Sequence, residues 1–486
     1  MATEPVKKSR ALAQPKASKR ERALSRGARA EEIVPAVGGG DFFTGSESRL
    51  HGLLARPVDG ASLAVFRVAF GLLMLGSTLR FIAKGWVTEL YVQPAFHFPY
   101  FGLDWIRPWP SPWMHVHFAA MALLALLVAI GLFYRASIVL FFVSFTYVEL
   151  IDKSTYLNHY YLISLLAFLM CFLPLHRAYS VDAWREPSLR ADTQPAWILG
   201  LLRFQIGLVY SFAGIAKLNP DWLLRAEPLR SWLPAHTDLP FVGPLLGEAW
   251  VAFTMSWAGA LFDLSVFPLL LWRRSRPFAY LAVVFFHVVT WRLFHIGVFP
   301  WVMIVITTIF FSPSWPRRIL RPLGVRATEP AYSTARDARV PAVALAAWAL
   351  LQIAIPLRAF AYPGPVAWTE EGFRFSWRVM LIEKNGQVDF QVRDPATGRT
   401  WVVHPREHLT PLQARMMSTQ PDMILQYAHH LAASFREKGI DDAEVRADTW
   451  VALNGRPGRR LIDPDVDLAR LSDGFAPKAW ILPPDP

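Results

Sequence analysis

Apolar residues along the chain gather into nine runs separated by short polar links: Leu63–Ile82, Met114–Phe133, Ser137–Leu150, Tyr160–Leu175, Trp197–Ala216, Trp250–Leu271, Pro277–Trp291, Gly297–Phe311 and Val340–Ile355. A bilayer core of about 30 Å needs about 20 apolar residues in a helix, fewer where neighbours shield the ends. Each run therefore predicts a membrane-spanning helix, the third and eighth short enough to lie tilted or partly in the interface. Beyond Pro356 the pattern changes. Phe373–Glu383 and Gln387–Val392 alternate apolar and polar residues around Asn385-Gly386, which predicts a β-hairpin. Asp394–Gly398 reads as a second turn before a strand at Trp401–Val403, Leu412–Lys438 as one long helix or two, and Val445–Leu453 as a further strand. The expected fold class is mainly α: a polytopic helical membrane bundle of about nine spans with a small C-terminal α+β domain. The divisions fall at 1–58 for a basic tail, 59–356 for the bundle and 357–486 for the C-terminal domain.

Composition agrees with a bilayer. Of 486 residues, 53% are hydrophobic and 18% charged, against about 25% charged in soluble domains. The 20 Trp and 34 Phe suit many water–lipid boundaries. A net charge of +12 could suggest nucleic acid, but the basic residues lie where a topology signal would put them. They crowd the N-terminal tail and alternate links: Arg135; Arg177, Arg185 and Arg190; Arg273, Arg274 and Arg276; Arg317, Arg318, Arg321, Arg326, Arg336 and Arg339. The longer opposite links hold fewer. The positive-inside rule then sets the N-terminus in the cytoplasm, and an odd number of spans sets the C-terminal domain outside it. The tail carries no apolar core of a cleavable signal peptide and reads as disordered. Cys171 is the one cysteine, so no intrachain disulfide and no cysteine-based metal site can form.

Charges inside apolar runs are expensive and need a partner or a purpose. Arg67, Arg80, Arg203, Asp263 and His287 lie within runs, and Asp152, Lys153, His159, Lys217 and His295 at their edges. Arg67, Arg203 and Asp263 are candidates for buried ion pairs that fix helix packing. Boundary lysines ordinarily snorkel to water. Joint placement gives the set its interest. Asp152, Lys153, Asn158 and His159 occupy the outer link between the third and fourth runs, Lys217 ends the fifth on the same side, and His287 and His295 stand near the outer end of the seventh. An amine, imidazoles and a carboxamide at one leaflet suit acid–base chemistry on a lipid-soluble substrate. Metal or haem ligation is the alternative, but no H-x-x-x-H or H-E-x-x-H spacing supports it.

Several segments resemble the vitamin K-dependent γ-glutamyl carboxylases. Tyr210-Ser-Phe-Ala-Gly-Ile-Ala-Lys-Leu-Asn-Pro-Asp-Trp222 is similar to the segment holding that family's catalytic lysine, and Ile151-Asp-Lys-Ser-Thr-Tyr-Leu-Asn-His-Tyr160 to its D-K-x-x-x-x-N-H motif. Phe286-His287, Leu293–Phe299, Phe262-Asp-Leu-Ser265, Ser180-Val-Asp182, Ser312–Arg317, Phe375-Ser-Trp377, Pro421-Asp-Met423 and Asp463–Asp467 follow in matching order.

The resemblance implies oxidation of reduced vitamin K, a phylloquinone or menaquinone hydroquinone, with O₂ to its epoxide. That reaction is coupled to carboxylation of protein glutamate by CO₂, with no metal. By position it implies Lys217 as the base that activates the hydroquinone, its amine kept reactive by desolvation. It implies Asn158 and His159 as hydrogen-bonding partners of the quinone oxygens, and His287 as a further stabiliser. Phe375, Ser376 and Trp377 would contact the glutamyl substrate. The implied partners are the lipid bilayer, the quinone and a protein or peptide substrate, with no nucleic acid. The animal enzymes carry a luminal disulfide that Cys171 alone cannot make, and a tyrosine and an acidic residue where this chain has Phe375 and Arg378. These departures and the basic tail look bacterial, which points to an inner membrane. Two alternatives stand beside the carboxylase: a quinone epoxidase with another acceptor, and a non-enzymatic membrane protein, since the helical part also resembles bacterial immunity proteins for secreted peptide toxins.

Overall fold

The computed structural model describes residues 51–294, 296–320 and 341–484. Most of the basic tail, His295, and Arg321, Arg326, Arg336 and Arg339 lie outside the described residues. Counting helices of seven residues or more, the chain runs through α1 (Ala61–Ala83), α2 (Trp113–Ile130), α3 (Tyr134–Ile151), α4 (Asn158–Phe172), α5 (Ala196–Ala216), α6 (Ala249–Leu271), α7 (Arg276–Leu293), α8 (Phe299–Thr307) and α9 (Ala342–Leu357). Two more, α10 (Pro411–Met417) and α11 (Pro421–Glu437), belong to the C-terminal domain. Each apolar run holds one of α1–α9, but among the described residues six helices, not nine, are long and apolar enough to cross a membrane: α1, α2, α3, α5, α6 and the one that begins at Ala342. The helices at Asn158–Phe172 and Phe299–Phe310 are apolar but shorter, and α7 is diluted by Arg276, His287 and Arg292. Outward-facing Leu123, Leu140, Val143, Leu261, Leu281, Phe285 and Leu350 are exposed. A helix with its backbone satisfied internally can present such a surface to lipid.

Two of the intramembrane charges prove to be held by backbone oxygens and not by carboxylates. Arg67, fully buried, donates to the carbonyls of Val128, Ala129 and Tyr179. Arg203 donates to those of Ile309, Phe310 and Phe311. The free carbonyls of a helix C-terminus carry negative partial charge, so helix ends and the turns that follow them can hold a guanidinium where sequence reasoning expected an ion pair.

Strand β1 (Pro57–Asp59), across the end of the stretch read as tail, pairs antiparallel with β2 (Thr193–Pro195). The C-terminal sheet has the order β4-β3-β5-β6, from β3 (Lys384–Arg393), β4 (Thr400–Val403), β5 (Glu444–Leu453) and β6 (Arg459–Arg460). Alternate residues Val388, Phe390 and Val392 of β3 and Val445, Ala447 and Val451 of β5 face a core shared with Ile424, Tyr427, Ala428 and Leu431 of α11. Thr410 caps α10 through a reciprocal capping box with Gln413. Pro421 opens α11, so the Leu412–Lys438 stretch is two helices.

The hairpin expected at Asn385-Gly386 is absent. Both residues lie inside β3, paired with Ala452 and Val451, and the hairpin turn falls at the second site, between β3 and β4. Gly386 is there for space: a Cβ on it would stand 2.7 Å from the Ser418 carbonyl oxygen. The alternating stretch Phe373–Glu383 is not a strand. Its Phe375, Trp377 and Met380 have φ of 64°, 57° and 55°, a left-handed backbone that breaks any period of two.

Charges tie this domain to the outer ends of the helices. Lys153 Nζ and Arg374 Nη1 donate to the same Asp422 oxygen, at 2.7 and 2.8 Å. Asp152 accepts from Gln413 at 2.8 Å, and Asp221 accepts from Asn454 and Arg456. Burial alone would raise the Asp422 carboxyl, but the Arg374 guanidinium and the Lys153 ammonium together hold it well below the usual carboxylate range. A depressed folded value stabilises above the unfolded carboxylate pKa, about 3.9, and that stability drains away as pH falls toward the folded one. Thermal unfolding of the solubilised protein should therefore show a midpoint that drops below about pH 4. Asp422→Asn should lower the midpoint at neutral pH and flatten the acid limb; an unchanged limb would show that this clamp contributes nothing to it.

Candidate active site

Helices α5 and α6 cross closely enough that a Cβ on Gly214 would lie 2.8 Å from the Leu264 backbone nitrogen. That approach brings the last residue of one helix against the middle of the other. Lys217, the C-cap of α5, donates from Nζ to Asp263 Oδ2 at 2.6 Å, and each side chain is 5% exposed. Pro220 cannot continue the helix. Asn219 caps the short helix Pro220–Arg225, its Oδ1 accepting from the Trp222 backbone at 3.0 Å. The turn folds Trp222 back, so that its ring lies 5.0 Å from Lys217 Nζ, and its indole N–H is anchored on the Ser256 carbonyl at 2.7 Å.

These residues wall a cavity of ≈ 80 Å³, whose lining includes Tyr210, Lys217, Trp222, Asp263, His287 and Thr290. Phe286, Phe294, Phe299, Met255, Met303 and Met380 supply apolar wall; the thioether chains make it deformable. His287 Nε2 is 3.1 Å from the Tyr210 hydroxyl, and its Nδ1 is buried with no hydrogen-bond partner among the described residues. A mostly apolar cavity with a few convergent polar groups and one orphaned ring nitrogen suits the chemistry of a weakly polar ligand able to hydrogen-bond, and at a volume below the roughly 150 Å³ that holds benzene its methionine walls must yield to admit an aromatic ring.

Of the residues singled out from sequence, Lys217, Asp263 and His287 meet in this cavity, Asp263 in the buried ion pair expected of it. His159 lies behind one of its walls: the Phe299 ring stands 5.6 Å from His159 and 5.7 Å from His287. Asn158 opens α4, accepts from the Tyr156 hydroxyl at 3.1 Å and donates to the Arg378 carbonyl. Asp152 and Lys153, expected in the same acid–base set, are turned instead to the C-terminal domain, where Gln413 and Asp422 engage them. The left-handed segment passes alongside: Val379 and Met380 line the cavity. Trp377 is 1% exposed and stacks on Tyr161. Ser376 is buried, donating to the Phe373 carbonyl at 2.5 Å. Phe375 lines a polar pocket with Lys153, Arg358, Glu371 and Arg374.

Sequence reasoning missed Tyr210 and Trp222 as cavity walls and Asp263 as the partner of Lys217. A carboxylate mid-run in α6 and a lysine closing α5 were both visible. What the sequence did not reveal is that they lie at one level of the bundle.

An HTTM domain matches residues 55–315, and a vitamin K-dependent gamma-carboxylase lumenal domain matches residues 337–485. The helical part thus defines a membrane protein of the HTTM class. With both domains in order, the chain belongs to the vitamin K-dependent gamma-carboxylase family. No solved structure matches it.

Proposed function

We propose that this protein is a membrane enzyme that oxidises reduced vitamin K with O₂ to the epoxide and couples the oxidation to γ-carboxylation of a glutamyl side chain. The N-terminus is cytoplasmic and the C-terminal domain extracytoplasmic, as the placement of the basic links requires; the odd number of crossings this needs is completed by α4, α7 and α8, short or polar for a span, beside the six long apolar helices. The observation that carries this reading is the buried Lys217–Asp263 pair facing an apolar cavity in a chain of this family. Hydroquinone, O₂, CO₂ and glutamyl side chain balance to epoxide, γ-carboxyglutamate and water, the quinol oxidation supplying a base stronger than any side chain.

The protein's own part is proton handling and shelter. Wherever the shared proton sits, the Lys217–Asp263 pair holds one proton fewer than it can carry, so it can accept one from a phenolic hydroxyl. His287, buried beside Tyr210, presents its second nitrogen to the cavity as a hydrogen-bonding partner. Trp222, Phe286 and Phe299 keep water away, which strengthens each of these interactions. Asn158 and His159 act from the α4 side, and Phe375 stands where an acceptor peptide would pass from the polar pocket. Ser376 and Trp377 serve that acceptor by holding the segment in place.

Purified protein in nanodiscs, given chemically reduced vitamin K and O₂, should produce epoxide, and with labelled CO₂ and a glutamyl peptide should label the peptide. Epoxide without peptide label would leave a quinone epoxidase with a different acceptor. No epoxide from folded protein would overturn the reading in favour of a non-enzymatic membrane role.

A further inference from the structure

A second cavity, of ≈ 370 Å³, opens between α3, α4 and α9. Phe142, Thr146, Glu149 and Leu150 of α3 line it at i, i+4, i+7 and i+8, one face of the helix. Tyr156, Tyr161, Phe168, Trp348 and Phe375 make it an aromatic slot. Leu351, on its rim, is 51% exposed, and Val143 and Leu350 beside it face outward, so the slot opens on the lipid-facing surface.

Two polar groups in it lack partners. Thr146 Oγ1 is buried with no hydrogen-bond partner among the described residues. Glu149, half-buried, has no hydrogen bond and no ion pair among them. An intramembrane carboxylate without a partner marks a ligand or ion path more often than a packing residue. A carboxylate near a helix end can also reach headgroup water, but Tyr100, Tyr156 and Phe375 stand around this slot at its outer end.

From this we infer that the slot is a docking site for the lipid-soluble hydroquinone, with Glu149 accepting a hydrogen bond from a phenolic hydroxyl. The aromatic walls stack on a flat ring, and the apolar chain lies between α3 and α9. No residue lining the slot is basic. A phosphate placed there would meet no cation, so the chemistry selects an uncharged, flat, hydrogen-bond-donating head. The inference rests on the quinol reading above and adds a membrane-side site distinct from the Lys217 cavity.

The test is photolabelling in nanodiscs with a diazirine-bearing prenyl naphthohydroquinone kept reduced, followed by peptide mapping. The expected result is label on residues 142–168 and 348–355, competed by excess unlabelled quinol. Glu149→Leu should cut it about tenfold, the loss of one buried hydrogen bond to the carboxyl oxygen, and Leu165→Trp, which fills the slot, should abolish it. Label confined to peptides around Lys217 and His287 would overturn the slot while leaving the proposed function standing. No label at either site would overturn both. A diazirine phosphatidylethanolamine that labels the slot equally and resists competition by quinol would overturn the hydroquinone as its occupant. The wild-type map and competition decide the matter even if a variant folds poorly.

Discussion

Lys217→Ala is expected to abolish hydroquinone oxidation, a loss of at least about 100-fold given what a positioned general base contributes, with expression and membrane insertion retained. Lysine closes α5 at the edge of a cavity where, among the described residues, its charged partner is Asp263 at 2.6 Å. Removing the amine removes half of the pair that can accept a proton. Lys217→Arg makes the sharper comparison. A guanidinium can keep the ion pair with Asp263 but does not give up its proton in a protein, so the variant should stay folded and remain inactive. Epoxide formation measured by chromatography, alongside a thermal midpoint for each variant, separates the two effects. Turnover in Lys217→Ala equal to wild type would remove the lysine from the mechanism.

How much of this could be read from the chain alone depended on how local each feature was. The positions of α1–α9 were legible because lipid demands long apolar runs, and all nine helices stand where those runs lie. The crossing count was less legible, because helix length and polar dilution decide it: the helix at Asn158–Phe172 is short, and α7 carries Arg276, His287 and Arg292. Asn385-Gly386 misled because glycine answers two needs. Here it lets the Ser418 carbonyl approach β3, a contact between residues far apart in sequence. The stretch from Phe373 misled because period-two alternation says nothing of the backbone sign at Phe375, Trp377 and Met380. Lys217 and His287 were legible as charges that apolar runs must account for. Asp422 was not legible as the anion that receives Lys153, since it sits in another domain. Glu149 passed unnoticed because it falls at the end of an apolar run, where a carboxylate ordinarily reaches water.

The same pair makes a second strong prediction, about stability. Asp263→Ala should destabilise the protein by about 3–5 kcal/mol, because it leaves a buried ammonium uncompensated. With both side chains 5% exposed, solvent screening offers little relief. The double variant Lys217→Ala/Asp263→Ala should recover most of that loss, since two small apolar residues in a dry site cost less than one stranded charge. Activity should be absent in both. The coupling, read from a double-mutant cycle of unfolding midpoints in detergent, is the quantity to measure. Strong coupling with no recovered activity would mean that the membrane bundle tolerates losing the pair and that catalysis does not. Additive effects would mean that Lys217 and Asp263 do not share a charge balance in the folded protein. Asp263 would then be an independent packing residue of α6, and the proton-accepting unit would have to be Lys217 alone. Asp263→Asn decides between these without opening a cavity: a retained fold with lost oxidation places the negative charge itself in the chemistry, whereas retained oxidation confines Asp263 to holding the lysine in place.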